Sequence, residues 1–178
     1  MVAYLLLLVA VFTRVLPHAG WWNFTAVSGA LLYFGARRPL REMWAPLAVL
    51  MATDYYLTAM AYHYSFVLSA YLVTWAWYAG AMGLGWLLLR SRTTVLRVGA
   101  GVVLGPTSFF LLSNFAVWLG GGMYPPTPGG LGACMLAGVP FYRNDLASTA
   151  ILCALAFGLP VLLRRTGDLH AREALADK

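Results

Sequence analysis

Charge is scarce in this chain. Charged residues fill 10% of its 178 positions and hydrophobic ones 61%, against about 25% and about 45–50% in soluble domains. An ordinary soluble domain is thereby excluded, and an integral membrane protein is expected. Cysteine is nearly absent. Cys134 and Cys153 have no metal-ligand spacing and no histidine beside them, so no metal site is expected. Cys153 reads as small packing material within an apolar helix. No GxSxG, HExxH, Walker A or CxxC pattern occurs; the chain does not read as an enzyme, and no cofactor is implied. The opening MVAYLLLLVAVFTRVLPHAG lacks a basic n-region, and Arg14 and His18 stand where a small-residue cleavage site would be. It reads as a retained first span rather than a signal peptide.

What fills the chain instead is a series of apolar segments. There is room for about six spans of about 20 residues and for no separate soluble domain. The spans are expected at residues 2–16, 23–36, 43–61, 66–89, 98–119 and 146–163, with a polar tail at 166–178. The first two are short, Pro46 lies in the third and Gly105-Pro106 in the fifth. The net charge of +6 would suggest nucleic acid in a soluble protein. Here the basic residues sit between spans. Ten of the 12 (Arg37, Arg38, Arg41, Arg90, Arg92, Arg97, Arg164, Arg165, Arg172 and Lys178) fall on one side, Arg143 alone on the other, and Arg14 within a span. The positive-inside rule then places both termini in the cytoplasm and favours an even number of spans. The expected fold is an all-α integral membrane protein: one transmembrane domain over residues 1–165 with six helices, multi-pass in the inner (plasma) membrane, without nucleic-acid binding.

With that orientation, depth follows from about 1.5 Å per helical residue. Arg14 lies about 18 Å from the cytoplasmic start of its span and Asp54 about 20 Å from Arg41. Asn114 lies about 25 Å beyond Arg97. His18 and Asn23 cap the outer ends of the first two spans. Intramembrane ionised groups face the bundle interior or a cavity and find a partner. Arg14 and Asp54 match in depth and opposite charge, as a pair or as two walls of one site; a bridge that only fixes helix register is the plainer alternative. Tyr55, Tyr56, Trp75, Trp77 and Tyr78 suit either a lipid-facing belt or a pocket wall. The small runs Ser28-Gly29-Ala30, Gly35-Ala36 and Ala79 to Gly85 permit close helix approach, inside the bundle or against a second membrane protein.

Residues 113–145 form the long interruption, with Asn114, Trp118, Tyr124 and Arg143 among a dense run of Gly and Pro. The apolar piece GGLGACMLAGVPF is expected to be a re-entrant or interfacial segment in a long outer loop between helices 5 and 6. Loops of that length are usually functional.

Several stretches carry a resemblance. They are Arg14 with Pro17-His18, Asn23-Phe24-Thr25-Ala26, Pro46 and Asp54, Ser113-Asn114-Phe115-Ala116-Val117-Trp118, Tyr124-Pro125 with Gly129-Gly130-Leu131, and Pro140-Phe141. Together they resemble, over nearly the whole chain, a family of bacterial six-span membrane proteins of unknown function. More distantly, the layout is similar to the substrate-binding S components of energy-coupling factor transporters. That resemblance implies capture of a small molecule on the outer face and delivery through a transmembrane coupling subunit with two ATPases.

The function expected is therefore small-solute binding or uptake in a polar pocket of the outer half, with the lipid bilayer as its setting. Arg14, His18, Asn23, Asp54, Asn114 and Arg143 are its polar candidates, and Trp118 and Tyr124 its stacking ones. Two arginines against one intramembrane acid favour an anionic or zwitterionic solute. The alternative is a non-catalytic accessory subunit of a larger membrane complex. An intramembrane enzyme would have only His18 with Ser113 to work with.

Overall fold

The protein is described here by a computed structural model that covers residues 1–16 and 23–163. These residues are mainly helical, with no strand among them. The helices are α1 (Val2–Val15), α2 (Val27–Arg37), α3 (Trp44–Tyr55), α4 (Leu68–Leu89), α5 (Val95–Gly120) and α6 (Pro128–Cys153). A π-helical turn, Tyr56–Ala61, prolongs α3. A second, Ala154–Gly158, prolongs α6, and helix continues to Leu163. His18, Trp21, Trp22 and the tail at 166–178 lie outside the described residues.

Among the described residues, three helices are long and apolar enough to cross a membrane: α4, α5 and the continuous 36-residue run from Pro128 to Leu163. α1, at 14 residues, and α2, at 11, are shorter. α2 is also the centre of the bundle: all of Val27 to Ala36 is buried, as expected for a helix apolar on every side. It lies against α1, α4, α5 and α6. The close approach needs glycine. A Cβ on Gly35 would stand 1.9 Å from the Met82 carbonyl oxygen, and one on Gly85 2.1 Å from that of Leu32. The small residues of α1, Ala3 and Ala10, are buried in the same core. Gly80 and Gly83 of α4, by contrast, face open space.

One end of the bundle collects the arginine-bearing turns. Arg37 donates to Thr93 Oγ1 at 3.3 Å, and Arg90 to the carbonyl of Arg38 at 3.1 Å, so the two basic turns interlock. The start of α1 joins them through the Tyr4 hydroxyl, which donates to Glu42 at 2.6 Å. Arg38 pairs with the same carboxylate. The Tyr4 hydroxyl, then Arg38, hold the Glu42 carboxyl below its usual range. Bonds to such a lowered carboxylate favour folding above its unfolded pKa and are lost as pH falls through the folded one.

The expected long loop between helices 5 and 6 is not there. The connection is Gly121 to Thr127, and GGLGACMLAGVPF forms the first half of α6 rather than a re-entrant segment. The reason is legible in the local chemistry. Thr127 caps the helix, its hydroxyl accepting from Gly130 N at 3.1 Å, and Pro128 fits the first turn, where its missing N–H is no loss. Gly130, Cys134 and Gly138 then recur at four-residue spacing as one buried stripe, the small-residue face that lets membrane helices approach closely. At Gly138 the neighbour is Asn114 of α5, whose amide would lie 2.6 Å from a Cβ there. Loss of the cap in Thr127→Ala is expected to destabilise the protein by about 1 kcal/mol, read as a lower thermal midpoint in detergent.

Candidate functional site

α2 ends inside the bundle. Eleven residues span only about 16 Å, whereas α5, with 26, extends about 39 Å. The space over the N-terminus of α2, at the end away from the basic turns, is a cavity of about 250 Å³. Arg14, Asn23, Thr25, Ser28, Leu57, Tyr62, Trp77, Tyr78, Phe109 and Asp145 are on its walls. A neighbouring chamber of about 240 Å³ lies between α5 and α6 and includes Asn23, Phe109, Ser113, Asn114, Tyr124, Cys134 and Gly138. Asn23 and Phe109 belong to both. Asn23 holds a left-handed backbone, φ 60°, which asparagine tolerates better than most residues.

Arg14 and Asp54 are a pair. The guanidinium reaches from the last turn of α1 to the carboxylate at the end of α3, and a second nitrogen bonds the Tyr78 hydroxyl of α4. Trp75 Nε1 donates to the other Asp54 oxygen at 2.9 Å, and the Tyr78 hydroxyl lies 3.2 Å from it. Asp54 is thus fully enclosed, at 1% exposure, while Arg14 keeps 23% and opens on the cavity. An ion pair in low dielectric persists only when its remaining donors and acceptors are met as well, and Trp75 and Tyr78 meet them. The network joins α1, α3 and α4 at one level.

A second polar cluster sits across the cavity. The Ser28 hydroxyl, in the first turn of α2, donates to Asp145 Oδ1 at 2.6 Å, and the Thr149 hydroxyl to the same atom at 3.3 Å. Ser148 donates to the Asp145 carbonyl at 3.0 Å. Asp145 is 5% exposed, and among the described residues no cation pairs with it. It faces the positive end of the α2 dipole instead.

Of the residues singled out from sequence, the cavity gathers Arg14 and Asn23, with Asp54 directly behind Arg14. Asn114 and Tyr124 line the neighbouring chamber, where the Asn114 amide also donates to the Phe110 carbonyl at 2.7 Å. Trp118 is engaged elsewhere: its indole donates to the Pro125 carbonyl at 2.9 Å and braces the α5–α6 turn. Arg143 is exposed. His18 lies outside the described residues. Sequence reasoning missed Asp145 and Ser28 and left Trp75, Trp77 and Tyr78 undecided. Trp77 and Tyr78 prove to be interior, at 5% and 2% exposure, while Tyr55 and Tyr56, at 49% and 50%, face outward. Moving Arg143 out and Asp145 in changes the charge of the site. Among the described residues it holds one arginine, already paired, and two acids, not two arginines against one acid.

Among the described residues no group of three or more His, Cys, Asp or Glu could hold a metal ion. Both cysteines are free and buried. No curated protein and no solved structure matches the chain. A model of one family does, over residues 1–170, and on that match the chain belongs to DUF6580, a family of unknown function.

Proposed function

We propose that this chain is a bacterial inner-membrane protein that binds a small solute in the cavity over α2, in the manner of a transporter's substrate-binding component. The carrying observation is that cavity: a polar chamber within an otherwise apolar bundle, walled by two separate buried polar clusters from five helices. Buried polar groups in a membrane bundle are costly and concentrate at functional sites. Its volume lies just below the range of about 300–1,000 Å³ usual for small-molecule pockets, and the adjoining chamber offers further room. Asn23, Ser28 and Asp145 would hold the polar part of the solute, with Arg14 as a wall beside them, and Tyr62, Trp77 and Phe109 would hold its apolar part. Asn114 and Tyr124 would line the way in.

In this reading all six helices lie in the bilayer, and the basic turns and both termini are cytoplasmic by the positive-inside rule. The cavity would then face outward. α1 and α2 are too short for a core of about 30 Å, which suits helices that wall a cavity rather than complete a crossing. Transfer inward would need a coupling subunit. The small face of α1 would not supply its docking surface, because Ala3 and Ala10 are buried in this chain's own core. An accessory subunit whose polar residues serve only helix contacts would have no use for a hollow between them.

Native mass spectrometry of the protein, extracted gently from its host membrane, tests the proposal. One equivalent of a retained small molecule is expected. It should be lost from Thr25→Trp, which fills the cavity from its wall. An empty chain that co-purifies with stoichiometric membrane partners would replace this reading with the accessory-subunit one.

A further inference from the structure

We infer that the solute is an organic cation, an amine carried on an apolar or aromatic body, with Asp145 as the group that receives the ammonium. The inference rests on the solute-binding reading and adds its chemical class. Charge complementarity is the first observation. Among the described residues, the charged side chains on the cavity wall are Arg14 and Asp145. Arg14 is already committed to Asp54 and Tyr78, so a ligand carboxylate would compete with a buried partner for it. Among the described residues Asp145 has only neutral donors, the Ser28 and Thr149 hydroxyls. The N-terminus of α2 adds about half a positive charge, which leaves the carboxylate undercompensated. A single cation completes the balance.

The second observation is independent of that charge count. Tyr62, Trp77, Tyr78 and Phe109 line the same cavity as Asp145, and ammonium groups are attracted to aromatic faces, most strongly to tryptophan. A carboxylate among aromatic walls suits an amine on both counts: a charge-assisted bond for the N–H and an electron-rich surround for the rest of the head group. An anion would meet repulsion from Asp145 and, among the described residues, no free cation on the wall.

Three probes of one shape and different charge test this on the unaltered protein in lipid nanodiscs near pH 7: benzylamine, benzyl alcohol and benzoate. Benzylamine should bind saturably by calorimetry, and the other two about tenfold or more weaker, the loss expected for one charge-assisted bond. Asp145→Asn, with the amide keeping the shape, should erase the preference for the amine. Should that variant not fold, the ranking in the unaltered protein still decides. Equal or tighter binding of benzyl alcohol or benzoate overturns the inference, as does an amine preference that survives in folded Asp145→Asn. A retained native molecule without a basic nitrogen would leave solute binding intact and remove the amine. If none of the three probes binds and nothing is retained, both proposals fall together.

Discussion

Gly35→Ala is expected to lower stability by about 3 kcal/mol, the upper part of the range for overpacking, and to do so through a single methyl group. Its Cβ would stand 1.9 Å from the carbonyl oxygen of Met82 and 2.7 Å from the carbonyl carbon. Both are backbone atoms of α4, so no rotamer change relieves the overlap; one helix has to move. α2 cannot move freely, because every residue from Val27 to Ala36 is buried against four other helices. Gly85→Ala makes the reciprocal overlap with Leu32, 2.1 Å from its carbonyl oxygen, and should behave alike. The control is Gly80→Ala on the same helix as Gly85, where nothing lies within 4 Å. There the better helix propensity of alanine, about 1 kcal/mol at most, is the only contribution, and it stabilises. Thermal midpoints of the three variants in one detergent make the comparison. If Gly35→Ala tracked Gly80→Ala, α2 and α4 would not be in backbone contact, and the cavity whose floor is the start of α2 would lose its frame.

The same glycines show how much of the fold was legible beforehand. Spans 3, 4 and 5 were readable because long apolar runs ended at basic turns, and their positions agree with α3, α4 and α5 to within a few residues. α6 was not readable from its start. Gly129, Gly130, Gly132 and Gly138, with Pro128 and Pro140, carry the composition of a loop. In an apolar setting, however, a backbone that cannot reach water satisfies itself as helix, and glycine then serves as a contact residue. The four-residue spacing of Gly130, Cys134 and Gly138 was the available signal. Misplacing that helix start had a direct consequence for the site. Asp145 fell at the edge of the long interruption, just before the span expected at 146–163, although it lies 17 residues past Pro128 within α6 and is buried. Depth arithmetic worked where both ends of a helix were known: Arg14 and Asp54, assigned to one level, are bonded to each other. Trp77 and Tyr78 stayed ambiguous because α4 is apolar on all sides, so no periodicity marks which face turns inward. Trp118 and Arg143 were drawn into the site by a loop that the chain does not form.

Asp54→Ala is expected to cost about 3 kcal/mol, the lower part of the range for breaking a buried ion pair by removing one partner. The lower part applies because Arg14 is not sealed in. Its side chain is 23% exposed and can turn toward the cavity, which recovers part of its solvation. Trp75 Nε1 and the Tyr78 hydroxyl lose their acceptor at the same time, so the network that joins α1, α3 and α4 comes apart at its centre. An unchanged thermal midpoint would mean that the pair does not hold these helices. The more informative variant removes both charges. Arg14→Met with Asp54→Leu leaves no orphaned ion, and apolar replacement of a buried pair is often neutral or stabilising, so part of the lost stability should return, short of what Trp75 Nε1 and the Tyr78 hydroxyl still lose with their acceptor. Solute retention separates what stability alone cannot. If the pair only fixes helix register, the double variant should keep the molecule retained by the native protein. If Arg14 is a wall of the site, the variant should fold and yet come off the membrane empty, and that outcome is expected because the guanidinium, with Tyr78, is the part of the network that lines the cavity.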